Sequence, residues 1–244
     1  ENPHHIEIQV LGDKFGNFIH LGERDCSIQR RNQKIIEEAP SPFIDSAIRD
    51  AMAAQAIKLA KSVNYFSAGT IEFIVDSRKN FYFLEMNTRL QVEHPVTELI
   101  TKVDIVEQMI RIASGEALKF DQAEISFAGC AIETRVYAED PSRDFMPSVG
   151  RLTQYSPPNE IVDEKKEVRN DTGVCEGSNI SFKYDPMISK LCVWAPNRKK
   201  SLELISHALA EFRIDGIKSN LSFLIDVIRK EKFQKGDFTT NFLS

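Results

Sequence analysis

The chain has 244 residues, enough for one large domain or two small ones. Its 42% hydrophobic and 27% charged residues form an ordinary globular mixture with material for a real core, which excludes a fibrous or disordered chain. A formal net charge of −5 gives no long-range field toward nucleic acid or an anionic membrane, and no apolar run approaches the roughly 20 residues that span a bilayer.

Cys26, Cys130, Cys175 and Cys192 lie outside zinc-ligand spacing of one another, so buried free thiols in a reducing compartment are expected. No signal-peptide pattern opens the chain, and the expected location is bacterial cytoplasm or mitochondrial matrix. The opening residues lack a methionine and run straight into a strand pattern, which reads as a segment of a longer polypeptide.

His5-Ile6-Glu7-Ile8-Gln9-Val10 alternates polar and apolar, the period of a strand with one buried face. Gly12 to Asn17 carries turn chemistry, and Phe18-Ile19-His20-Leu21 should return antiparallel. A basic segment spans 29–34. Residues 45–64 change to helical spacing, with Ile48, Met52, Ala56 and Leu59 on one face and Asp45 as the cap. Residues 69–75 and 81–86 form a hairpin around a tight connection at 76–80. A helical pattern follows Pro95 through Ile112 and ends near Gly115. A strand at 130–137 opens a region of short strands, and helices at 199–212 and 220–230 close the chain; Arg198, Lys199 and Lys200 should precede the first of these and face solvent. The class is α+β with mainly antiparallel sheet, divided into 1–125 and 126–244.

The hairpin carries the most information. Strand parity brings Glu72 and Glu85 near each other on one side, with Tyr82, Leu84 and Met86 forming an apolar face on the other. Opposed like charges are destabilising in a sheet, so a positive group is expected between them. A hard cation such as Mg²⁺ accepts two carboxylates and an amide oxygen from Asn87; two solvated glutamates on an open face is the alternative. If extended, the next stretch would throw Asn87, Arg89, Gln91 and Glu93 to one side. Arg89 then offers a fork for a planar anion, Gln91 an amide donor, and Glu93 a base. An Arg–Glu pair on a loop is the plainer alternative.

Glu72-Phe73 and the run Phe83-Leu84-Glu85-Met86-Asn87-Thr88-Arg89-Leu90-Gln91-Val92-Glu93-His94-Pro95 closely resemble the core of the biotin carboxylases. So do Glu23-Arg24-Asp25-Cys26-Ser27-Ile28-Gln29-Arg30-Arg31, Glu133-Thr134-Arg135-Val136-Tyr137, Tyr184-Asp185-Pro186-Met187 and Asp215-Gly216-Ile217-Lys218-Ser219-Asn220. Asn32, Val75-Asp76-Ser77 and Lys235-Gly236-Asp237-Phe238 most resemble the propionyl-CoA carboxylase branch; acetyl-CoA carboxylase is the alternative.

The resemblance implies the C-terminal portion of an ATP-grasp fold that continues into the biotin carboxylase C-terminal region. It implies a ligase that carboxylates carrier-bound biotin from ATP and bicarbonate through carboxyphosphate. Glu72, Glu85 and Asn87 would hold Mg²⁺ or Mn²⁺. Lys34, Arg89, Gln91, Val92 and Glu93 would bind bicarbonate, with Glu93 as its base. Arg135 would bind the biotin ureido oxygen, and His5, Gln29, Asn32, Ile74 and Ile217 would contact ATP. Parity sets Gln29 against Asn32 and Lys34, so a bulge is expected between them. Asn32 departs from the histidine common in the family. Implied partners are a biotinylated carrier domain, a carboxyltransferase β subunit and a second copy of the chain; nucleic acid and membrane are not among them. The family's N-terminal domain, glycine-rich lid and adenine hinge would precede Glu1, so the chain alone is expected to be inactive. A purely structural folding or dimerisation module is the rival reading.

Overall fold

Alternation at the start of the chain builds strand β1 (His4–Gly12), which is buried along its whole length rather than on one face. The computed structural model describes residues 2–243. Two units divide the chain, the first formed by Glu1–Ala131 with Phe238–Ser244 and the second by Ile132–Asp237.

In the first unit, β1 sits in an antiparallel sheet with β2 (Phe18–Arg30), β3 (Gln33–Ala39), β4 (Ser67–Val75) and β5 (Phe81–Asn87), in the order β3-β2-β1-β4-β5. Ile6, Ile8 and Val10 pair with Phe73, Ile71 and Gly69 of β4. With Val75 they make one core against helix α1 (Ser46–Ser62), whose Met52, Ala53, Ala56 and Ala60 are buried. Asp45 caps α1 as expected, accepting from the Ile48 amide at 3.1 Å. The opposite face of β1 carries His5, Glu7 and Gln9. It is as fully enclosed, because helix α2 (His94–Thr101) brings Thr97 against Arg24 there.

Three local expectations are corrected. The basic segment at 29–34 is not one extended stretch with a bulge: Arg31 and Asn32 both take positive φ (52° and 65°) and reverse the chain. Gln29 and Lys34 are thereby cross-strand partners, and two register shifts precede them, one with its extra residue on β2 between Asp25 and Ile28 and one with Ile35 of β3 as the extra residue. The helical pattern of 95–115 is two helices, α2 and α3 (Ile105–Ala113), because Lys102 is left-handed (φ 59°) and Asp104 starts a new cap on the Glu107 amide at 2.8 Å. The apolar face expected of Tyr82, Leu84 and Met86 does not form. Leu84 is the extra residue of a bulge on β5, so Tyr82 pairs with Ile74 on the Glu72 face while Met86 pairs with Ile71 and packs on the α1 core. Tyr82 and Leu84 are 58% and 50% exposed.

In the second unit, β6 (Cys130–Tyr137) and the strands Met187–Ala195, Glu167–Thr172 and Ile161–Val162 follow one another in a sheet. Helix α4 (Arg198–Glu211) buries Leu202, Ile205, Ala208 and Leu209, a spacing of one helical face. Helices α5 (Leu221–Arg229) and α6 (Glu231–Lys235) follow. Arg198 does not precede α4 but opens it, and its guanidinium donates to the Phe233 and Gln234 carbonyls at the end of α6. Gly216 has φ +94°, and a Cβ there would run into the Arg151 carbonyl oxygen. Three cysteines are buried free thiols, but Cys175 is exposed.

Candidate functional site

Sheet register assembles the polar face. Directly opposed residues run Glu85–Glu72–Glu7–Arg24 across β5, β4, β1 and β2, so three carboxylates and a guanidinium stand in one row. A bulge on β5 after Phe83 keeps Glu85 opposite Glu72. Lys34, from the hairpin partner of Gln29, reaches into this row.

Lys34 is the cation at the centre of the row, and it meets Glu72 but not Glu85. Its ammonium donates to Glu93 Oε1 at 2.5 Å, Glu7 Oε2 at 2.6 Å and Glu72 Oε1 at 3.2 Å, one bond for each of its three N–H groups. Burial opposes a charge on Glu7, but Lys34 and Arg24 outweigh it and hold the carboxyl at about 2. Burial likewise opposes Glu72, where the His5 hydrogen bond and Lys34 prevail and hold it at about 2. Lys34 itself is desolvated, yet the surrounding carboxylates keep it protonated well above its usual range. Cys26, at the floor of the same cluster, is a thiol pushed far up by burial and by the charge of Glu7, so it takes no part as a nucleophile.

His5 is fixed in one tautomer. The Gln29 amide nitrogen donates to the Cys26 carbonyl at 2.7 Å and approaches His5 Nδ1 at 2.6 Å. A nitrogen that already faces a carbonyl must donate, so Nδ1 accepts and the proton sits on Nε2, which donates to Glu72 Oε2 at 2.7 Å.

The stretch after β5 is not extended. It bends, and α2 begins at His94 with Glu93 at its N-cap position. The bend nonetheless converges the polar side chains. Asn87 Nδ2 donates to Glu72 Oε1 at 2.9 Å and to Glu85 Oε1 at 3.4 Å, and Gln91 Nε2 donates to Glu72 Oε1 at 2.7 Å. Arg89, exposed, donates to Asn87 Oδ1 at 3.2 Å and to the Leu90 carbonyl at 3.1 Å. Val92 is half-buried beside them.

Of the other expected positions, Asn32 is exposed in the β2–β3 turn, and Ile74 is half-buried on β4 opposite His5. Arg135, 8% exposed on β6, and Ile217 belong to the second unit.

Sequence reasoning missed Glu7, Gln9, Arg24, Thr70 and Thr97. Arg24 is fully buried and uses all five of its N–H donors on these residues and Gln91. Alternation did place Glu7 and Gln9 on the face of His5; a half-exposed strand was the wrong context in which to read them.

Residues 1–121 match the carbamoyl-phosphate synthase L chain ATP-binding domain, and residues 133–244 match the biotin carboxylase C-terminal domain. The chain is 60% identical to the propionyl-CoA carboxylase alpha chain of Ruegeria pomeroyi, across 99% of this chain and 38% of that one. It is 56% identical to the mitochondrial propionyl-CoA carboxylase alpha chain of Homo sapiens, across 100% and 33% respectively. It thus spans about a third of the length of these curated relatives. Among solved structures, the biotin carboxylase domain dimer of Hydrogenobacter thermophilus 2-oxoglutarate carboxylase, in complex with MgADP, ADP and bicarbonate, superposes with a TM-score of 0.96. That match has 48% identity and covers 100% of this chain and 52% of the other. The biotin carboxylase subunit of a pyruvate carboxylase gives a TM-score of 0.95 at 46% identity, covering 100% of this chain and 53% of that one.

The chain belongs to the biotin carboxylase family, with the α+β, mainly antiparallel architecture of that family.

Proposed function

We propose that this chain carries the metal- and bicarbonate-handling part of a biotin carboxylase that serves a propionyl-CoA carboxylase. The observation that carries the reading is the Lys34 ammonium gathering Glu7, Glu72 and Glu93, beside a Glu72–Asn87–Glu85 set. Relatives named propionyl-CoA carboxylase alpha chain are 52–60% identical, against 51% for biotin carboxylase 2 of Bacillus subtilis, which favours the acceptor assignment. A division near residue 125 into an ATP-grasp portion and a C-terminal portion fits the two matched families.

Glu72, Glu85 and Asn87 fit a hard divalent cation, Mg²⁺ or Mn²⁺. Glu72 and Glu85 are both carboxylates, the Asn87 amide nitrogen already bridges one oxygen of each, and turning that amide over would present its oxygen instead. When bound, the cation would neutralise charge on the ATP phosphates. Three enclosed carboxylates against the two cations Lys34 and Arg24 leave one negative charge in excess, so a cation is electrostatically welcome there.

Bicarbonate would lie against Arg89, Gln91, Val92 and Lys34. Glu93 would remove its proton, and the resulting oxyanion would attack the γ-phosphoryl group of ATP, giving carboxyphosphate and ADP. Carboxyphosphate releases CO₂ and phosphate; the biotin N–H loses its proton to that phosphate, and the ureido enolate, held by Arg135, attacks CO₂. His5, Gln29, Asn32, Ile74 and Ile217 would contact the nucleotide. In the parent enzyme the partners would be the biotinylated carrier domain, a carboxyltransferase β subunit and a second copy of the chain, in cytoplasm or mitochondrial matrix.

Glu85→Gln in the full-length carboxylase tests the site. Loss of a ligand where charge develops lowers bicarbonate-dependent ATP cleavage by on the order of 100-fold. Near-normal turnover at saturating Mg²⁺ would remove Glu85 from the metal site.

A further inference from the structure

We infer that Arg24 is a positioning residue for the anion site, fixing which end of the Gln91 amide faces the carboxylates without itself touching the anion. The inference rests on the bicarbonate reading of Gln91 given above.

Arg24 is completely buried. Its Nε donates to Glu7 Oε1 at 2.5 Å. Nη1 donates to Gln9 Oε1 at 2.7 Å and to Thr97 Oγ1 at 3.0 Å. Nη2 donates to Thr70 Oγ1 at 3.1 Å and to Gln91 Oε1 at 2.8 Å. Five donors meet five acceptors, drawn from β1, β4, α2 and the bend before it. A guanidinium has no acceptor and keeps its charge, so it imposes a direction on each partner.

That direction matters most at Gln91. A primary amide is nearly symmetrical in shape, and packing alone does not choose between its two orientations. Nη2 selects Oε1, which turns Nε2 toward Glu72 Oε1 at 2.7 Å. The amide carries a second N–H, the one a bound anion takes. Reversed, it would set an oxygen against Glu72 and against the incoming anion, repelling both. The same guanidinium holds Glu7, the carboxylate that accepts from Lys34 at 2.6 Å, so the ammonium is aimed by the same fork. Lysine at this position has one charged nitrogen and three donors. It can answer Glu7 but cannot also orient Gln91 from the far side of a fork.

The test uses the full-length carboxylase with Arg24→Lys, Gln91→Ala and the pair together. For Arg24→Lys, the bicarbonate KM rises by about tenfold while the ATP KM stays within about twofold. In the double variant the bicarbonate KM is close to that of Gln91→Ala alone, because the two residues act through one amide. A purely structural Arg24 would instead lower thermal stability and the active fraction, leaving both KM values of the folded enzyme unchanged or moving them together. That outcome overturns the inference. If Gln91→Ala itself leaves the bicarbonate KM unchanged, the reading of the anion site fails first. If Gln91→Ala raises it and Arg24→Lys does not, only the role of Arg24 fails. Should Arg24→Lys not fold, Thr70→Val removes one acceptor of Nη2 and keeps the charge; a rise of about threefold confined to bicarbonate supports the inference, and no rise overturns it.

Discussion

Lys34 shows how a residue's chemistry depends on what surrounds it. Alone on a strand it would be a solvated cation; enclosed by Glu7, Glu72 and Glu93 it is the counter-ion that lets three carboxylates occupy one pocket. The folded chain holds Glu7 and Glu72 at about 2, below the ordinary 4.5. Carboxyls with depressed folded pKa values contribute stability that is complete above the ordinary value and lost as pH falls through the folded one. Urea midpoints of the chain should therefore fall steeply between pH 4.5 and 2, and Glu7→Gln should flatten that fall. A midpoint that Glu7→Gln leaves with the same pH profile would show that another group governs acid unfolding. Arg135 yields a different kind of expectation. If it meets the biotin oxyanion, which forms after nucleotide has bound, Arg135→Ala in the full-length carboxylase spares ATP affinity and abolishes biotin carboxylation. Equal losses in both would move Arg135 to the phosphates.

Elements position these residues by register more than by contact. The β2–β3 reversal at Arg31 and Asn32 makes Gln29 and Lys34 neighbours, and a slip of one residue would turn Lys34 to the other face. In the second unit the end of β6 is tied down by a single side chain at the start of α5. Asn220 Oδ1 accepts from the Tyr137 amide at 2.8 Å, its Nδ2 donates to the Arg135 carbonyl at 3.0 Å, and its own amide donates to the Tyr137 carbonyl at 3.1 Å. The residue is 1% exposed, so Asn220→Ala removes its side-chain hydrogen bonds to the backbone of Tyr137 and Arg135 in a buried setting. The expected cost is about 2–4 kcal/mol, read as a lowered denaturant midpoint with an unchanged slope. A loss under about 0.5 kcal/mol would mean that water replaces the amide without penalty.

At the scale of the molecule, the sheet of the first unit separates two kinds of interior, an apolar one against α1 and an ionic one beneath α2. Each has its own reason to stay closed, so the 244 residues should fold when expressed by themselves. No glycine-rich phosphate loop occurs among them, and phosphoryl transfers rely on such closure to exclude water and clamp the phosphates. The segment alone should therefore release no phosphate from ATP with free biotin and bicarbonate. Turnover abolished by Glu93→Gln would show that these residues suffice.

Much of this was open to reading in one dimension. Period-two alternation gave β1, β4 and β5, and helical spacing gave α1 with its Asp45 cap, because those patterns are local; the run from Glu85 to Glu93 raised the anion and metal reading proposed above. The hairpin of Glu72 and Glu85 is local too, but their pairing rests on the bulge at Leu84, which parity alone does not give. Tertiary structure alone decided that both faces of β1 are buried, since burial depends on what packs above a strand and α2 lies far along the chain. It decided that Lys34 reaches Glu7, Glu72 and Glu93 together, and that Arg24, unremarkable in sequence, meets five acceptors. Those acceptors, Glu7, Gln9, Thr70, Gln91 and Thr97, are up to 73 residues from Arg24, and only the sheet register and the packing of α2 bring them within reach of one guanidinium.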